Sequence, residues 1–126
     1  MREILFRGKT EKGEWVYGVP LVTEEYCDIC YFDSEAMRKV CRLVIPETIG
    51  QYTGLTDKSG KKIFEGDIVL FGLSPCVIRY ENENARYMLY EKNKYLKNGF
   101  NVDTIKLKEV IGNIHDNLEL LKGGDE

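Results

Sequence analysis

Few residues of this chain have the types and spacing that chemistry needs. Cys27-Asp28-Ile29-Cys30 has the spacing of a zinc knuckle or a redox pair, and Cys41 and Cys76 would complete four thiolates. Local geometry argues against such a site. Residues 25–32 read as a strand, so successive side chains alternate and Cys27 and Cys30 face opposite ways. Cys41 and Cys76 stand alone rather than forming a second close pair. The expectation is small buried thiols and no metal.

His115 is the one histidine, which excludes a His-pair metal site and leaves a single natural base near neutral pH. Its neighbour Asp116 points away on an extended chain, and spacing links no serine or cysteine to it. Asp57, Glu65 and Asp67 could pair as acids or hold a cation. Two of them fall where turn chemistry alone selects aspartate: Asp57 opens Asp57-Lys58-Ser59-Gly60, and Asp67 follows Gly66 at a strand entry. Gly54 and Gly60-Lys61 resemble a phosphate loop, but five residues separate the glycines and Lys62 follows where Ser or Thr is needed. A strand comes next, with no helix N-terminus to hold an anion. No catalytic residue, metal ligand or cofactor is expected, and the chain does not read as an enzyme.

One further pattern is a basic stretch interleaved with tyrosines. Arg86, Tyr90, Lys92, Lys94 and Lys97 would suit a single-stranded nucleic acid held by stacking and charge. Glu81, Glu83 and Glu91 dilute that patch, so nucleic-acid binding stands as the alternative reading.

Composition frames these candidates. The 126 residues are 43% hydrophobic and 31% charged, with net charge -3 and a pI near 5.3. That is enough apolar sequence for one cored domain, and too little positive charge for a generally basic surface. No run approaches the ~20 apolar residues of a membrane span. Residues 1–9 lack the apolar centre of a signal peptide, so a cytoplasmic protein with four reduced cysteines is expected.

Short strands at intervals of about ten residues, with turn signals between them, indicate a mainly β fold with little helix. Residues 1–7 and Trp15–Val22 form an N-terminal hairpin around the polar turn at 11–14. Residues 25–32 and 40–45 alternate like strands, with a short helical turn expected at 36–38 and Pro46 ending the second of them or placing it at an edge. Residues 47–66 hold four of the twelve glycines and read as a junction of tight bends. Strands follow at 67–71, 75–80, 85–90 and 109–114, with a polar loop at 92–99 and a terminal helical turn near 117–121. The organisation is therefore a β-rich portion over 1–46, a junction over 47–66, a second portion over 67–121 and a frayed tail over 122–126.

The order Phe6-Arg7-Gly8, Trp15-Val16-Tyr17-Gly18, Thr48-Ile49-Gly50-Gln51-Tyr52-Thr53-Gly54-Leu55-Thr56-Asp57, Gly60-Lys61-Lys62-Ile63-Phe64-Glu65-Gly66-Asp67-Ile68-Val69 and Ile111-Gly112-Asn113-Ile114 resembles the YopX family of phage and prophage proteins. The family often has an aromatic where His115 stands and a proline where Leu118 stands. The resemblance implies an SH3-like small β-barrel after the central motif, joined to the N-terminal β-rich portion. It implies no catalytic residue and no cofactor. A binding role follows as the expectation: a non-enzymatic module for a phage or host protein partner, or a homo-oligomer.

Overall fold

The structure, a computed structural model, describes residues 3–91, 94–96, 102–105 and 107–122. The chain is mainly β and folds as two compact units, Met1–Tyr52 and Thr53–Glu126. The boundary falls inside the expected junction, because residues 47–56 are not a set of bends. They belong to one long strand.

The first unit contains β1 (Phe6–Lys9), β2 (Trp15–Val22), β3 (Cys27–Asp33), β4 (Arg38–Leu43) and the start of β5 (Ile45–Thr56). The strands are antiparallel in the order β4-β3-β2-β1-β5. Side-chain oxygens shape the turns. Gly13 takes a φ of 88° while its N–H donates to the Thr10 carbonyl at 2.9 Å. Asp33 Oδ1 accepts the N–H groups of Glu35 and Ala36 at 3.0 and 3.2 Å. That Asx turn replaces the helical turn expected at 36–38 and closes the β3–β4 hairpin.

Pro46 does not end a strand. It is the second residue of β5, within an irregular stretch where the pairing jumps from Arg7↔Gly50 to Lys9↔Ile45. A bulge needs no ladder donor from Pro46. The Thr48 hydroxyl bridges the gap instead, accepting the Lys9 N–H at 2.8 Å and donating to the Ile45 carbonyl at 2.6 Å. The core is small: Val16, Ile29 and Val44, with Phe6, Cys27, Tyr31 and Ile49 packed against them.

β2 changes partner midway. Phe6↔Gly18 is the last register pair with β1, and Val19↔Cys30 is the first with β3. At that corner a Cβ on Gly18 would collide with the backbone carbonyl of Cys30. Backbone cannot give way as a flexible side chain can, so only glycine fits.

The second unit carries β6 (Lys62–Phe64), β7 (Asp67–Phe71), β8 (Ser74–Glu81), β9 (Arg86–Glu91), β10 (Lys94–Leu96), α1 (Val102–Ile105), β11 (Val110–Asn113) and α2 (Glu119–Lys122). β6 pairs with the latter part of β5, and the other strands form an antiparallel sheet in the order β10-β9-β8-β7-β11. β10 occupies part of the stretch read as a polar loop. Its backbone pairs with β9 through Lys94↔Glu91, Tyr95↔Tyr90 and Leu96↔Leu89. Among the described residues no closed barrel forms, and the sheet ends at β10 and β11. The core is Ile63, Val69, Cys76, Ile78, Leu89, Ile105 and Val110, with Leu55 and Tyr87 against it.

Asp57 anchors this unit. It is 5% exposed, and its carboxylate accepts three backbone N–H groups: Ser59 and Lys61 at 2.9 Å on Oδ1, and Val110 at 3.0 Å on Oδ2. One side chain thus shapes its own turn and pins the start of β11. Burial alone would raise its pKa, but the three N–H donors and the Lys61 charge together bring it below the ordinary 3.8. Asp67 works similarly, with Oδ2 accepting the Phe64 N–H at 2.7 Å across the Gly66 turn.

Gly18, Gly54 and Asp57 differ in what a substitution should cost. Gly18→Ala should lower stability by roughly 2–3 kcal/mol through overpacking, read as a reduced urea midpoint. Gly54→Ala, with open space around its φ of 93°, should cost only about 1–2 kcal/mol from backbone strain. A Gly18→Ala chain as stable as wild type would rule out the close approach. Asp57→Ala should cost about 3 kcal/mol by leaving buried donors unpaired. A depressed folded pKa gives stability that is complete above 3.8 and lost as pH falls through the lower folded value. Asp57→Asn should therefore flatten the acid limb of stability against pH, measured by urea titration at stepped pH.

Candidate functional site

Register brings Asp67 opposite Asn113, two residues before His115, and Asp57 reaches Val110 at the start of β11. Asp57 and Asp67 are committed to backbone donors, and Glu65 lies between them in the turn before β7. His115 sits in a turn made by Asn113, whose Oδ1 accepts the N–H groups of both His115 and Asp116 at 2.9 Å. Asp116 in turn accepts from Asn113 Nδ2 at 3.2 Å, so it helps hold the turn. Cys76 is fully buried in the second core, and burial, its main influence, pushes the thiol pKa up. No group of three potential metal ligands occurs among the described residues.

The basic stretch is only partly within the described residues. Arg86 bonds Glu81 at 2.9 Å, and Asn84 shares that carboxylate. Glu81 titrates below its ordinary range, first because of Asn84 and then because of Arg86. Tyr90 is half-buried and sits opposite Val77 and Tyr95. Lys94 pairs with Glu91 in the β9–β10 register. Lys92 and Lys97 lie outside the described residues.

The alternation of Cys27 and Cys30 holds. Cys27 packs with Val16, Ile29 and Val44, while Cys30 projects from the other face. One cysteine expectation fails: the four are not all free. Cys30 and Cys41 form a disulfide, because the β3–β4 register sets them directly opposite. Cys27 and Cys76 remain thiols.

The face that carries this disulfide is the most distinctive surface among the described residues. Period-two alternation and the register put Val19 and Leu21 of β2, Asp28, Cys30 and Phe32 of β3, and Lys39, Cys41 and Leu43 of β4 on one side. Val19 is 57% exposed, Leu21 48%, Phe32 62% and Leu43 62%. They give this face an exposed apolar character, with Asp28 standing between Leu21 and Leu43 in the register. Val19, Leu21, Cys30, Phe32 and Lys39 line a shallow groove there. Each side chain follows ordinary strand alternation. Sequence could not show which of the two faces stays uncovered.

The rim is charged. β4 is the edge strand of its sheet, and Arg38, Lys39 and Arg42 lie along it. Arg42 reaches Glu14 at 2.7 Å between two partly exposed side chains, which holds Glu14 below its usual range, first by that hydrogen bond and then by charge. Arg38 and Lys39 are exposed. No helix among the described residues is long and apolar enough to cross a membrane.

A family model described as YopX protein matches residues 5–122. Among solved structures, the crystal structure of protein EF1440 from Enterococcus faecalis is similar, with a TM-score of 0.64 and 25% sequence identity. That likeness covers 96% of this chain and 99% of the other. No curated protein matches the chain. The family pattern runs from β1 through α2, and the chain belongs to the YopX family.

Proposed function

We propose that this protein is a non-enzymatic, phage- or prophage-encoded accessory protein that binds another protein through the outer face of β2, β3 and β4. The observation that carries the reading is the exposed row of Val19, Leu21, Phe32 and Leu43 beside the free edge of β4. An edge strand offers unpaired backbone donors and acceptors, and a neighbouring apolar groove can take alternate side chains of an added strand. The occupant this favours is an extended segment with apolar anchors and acidic flanks, complementary to Arg38 and Lys39. Like charges along β4 disfavour pairing of two copies edge to edge. The use of the Asp57 and Asp67 carboxylates as acceptors for backbone N–H groups supports a role in binding rather than catalysis. In the second unit, a four-strand meander whose β11 returns beside β7 is the connectivity an SH3-like barrel would use, which supports that finer fold reading.

A photo-crosslinking residue at Phe32, in cells carrying the native genome, tests the reading. A discrete protein adduct is expected at Phe32, none at the exposed loop residue Glu83, and loss of the adduct when Val19→Glu is added. Val19→Glu should itself shift stability by less than about 1 kcal/mol, because the site is on the surface. No adduct at Phe32, or an equal one at Glu83, would reject the interface.

A further inference from the structure

We propose that Cys30–Cys41 is a site of reversible thiol–disulfide exchange, with the Cys41 sulfur as the point of attack by a low-molecular-weight thiol. Three observations carry this. The two cysteines are unequal: Cys30 is 8% exposed, whereas Cys41 lies on the open surface of the edge strand. A nucleophile must approach along the S–S axis, and Cys41, the more exposed of the two residues, offers the more open side. The groove beside the bond is lined by Val19, Leu21, Cys30, Phe32 and Lys39, so the Cys30 thiolate released by the exchange opens into it, with a lysine on the same lining. Asp28 is the acidic group on the same face, two residues from Cys30 along β3.

Further, the hairpin does not need the bond to keep its pairing. Register pairs run from Asp28↔Leu43 to Asp33↔Arg38 on both sides of Cys30↔Cys41, and the Asp33 turn closes the end. Opening the disulfide leaves this ladder in place. The other thiols do not compete: Cys76 is fully buried and Cys27 lies on the opposite face.

The chemistry balances as follows. A thiolate forms a new S–S bond to Cys41 Sγ, the Cys30–Cys41 bond breaks, and Cys30 leaves as a thiolate that takes a proton from water. A second thiolate then attacks the small-molecule sulfur of that mixed disulfide. It releases the small disulfide and the Cys41 thiolate. Two electrons pass from two thiols to the protein, and an oxidised small disulfide reverses both steps. The exchange does not depend on what binds the surrounding face.

Reduced and oxidised glutathione in graded ratios provide the probe, with the full chain in native buffer, acid quench, maleimide trapping and intact mass measurement. The expected result is a gain of two alkylated thiols at Cys30 and Cys41 with an unchanged far-UV circular dichroism spectrum. In Cys30→Ser, oxidised glutathione should add once at Cys41. In Cys41→Ser, the adduct at Cys30 should form more slowly, on the order of tenfold, because burial restricts access. Both variants would carry Cys27→Ser to remove the half-exposed thiol. The proposal is overturned if thiols appear only in denaturant, if the two variants react at equal rates, or if both cysteines stay reduced in fully oxidised glutathione.

Discussion

The approach of the Cys30 carbonyl to Gly18 is the constraint on which the first unit depends. β2 is too long to serve one partner. Its first half pairs with β1 and its second half with β3, and the handover requires the chain to turn a corner at Gly18. With no Cβ there, the β3 backbone closes over β2 and brings Ile29 onto Val16. Everything outward of that corner inherits its position. The β3–β4 hairpin, the Cys30–Cys41 pair and the exposed row from Val19 to Leu43 are where they are because β3 can come this close. Glycine is entropically unfavourable in a strand interior. The contact it permits offsets that loss by burying the centre of a small core.

Polar side chains do a second job in both units: they stand in for backbone partners where the ladder fails. In the first unit the Thr48 hydroxyl satisfies the Lys9 N–H across the β1–β5 irregularity. In the second, Asp57 takes three N–H groups and Asp67 takes one. A buried donor left without a partner costs about 1–3 kcal/mol, so such side chains can matter as much as an apolar core residue. Two of the acidic residues that looked like candidates for chemistry thus have a structural job, Asp57 holding three backbone N–H groups and Asp67 one.

Much of this was legible in the residues. β2 runs over the span its alternation predicts, and glycines in the expected turns, Gly13, Gly60 and Gly66, take a positive φ. The opposite facing of Cys27 and Cys30 also follows from period two. What escaped depends on register and partners. β5 reads as broken because Pro46, Gly50 and Gly54 weaken a strand locally, yet the bulge beside Thr48 and the positive φ of Gly54 absorb them within one strand. β10 hides in lysines because its pairing residues, Tyr95 and Leu96, are only two apolar positions. The disulfide needs the β3–β4 register, which the Asp33 turn fixes; a helical turn there would have moved Cys41 off Cys30. The apolar face escaped for a different reason. Alternation marks two faces of a strand, and only the neighbouring strands decide which one is covered.

The same physical logic links the edge strand to its neighbour surface. A free edge is a liability when its charges are absent and an asset when they select a partner. Arg38 and Lys39 raise the electrostatic cost of a second basic β4 alongside the first, while Val19, Leu21 and Phe32 keep apolar area available to a segment of opposite charge. On the proposed reading, attraction from the groove and repulsion along the rim would act on different candidates, and that would give a small surface discrimination that area alone does not give. The cross-strand disulfide lies at the centre of that arrangement. While closed, it limits fraying of an edge strand, and an edge held flat presents its backbone groups in the order an incoming strand requires. Pre-organisation of β4 is therefore the physical route by which a covalent bond on one face would influence binding along the adjoining edge.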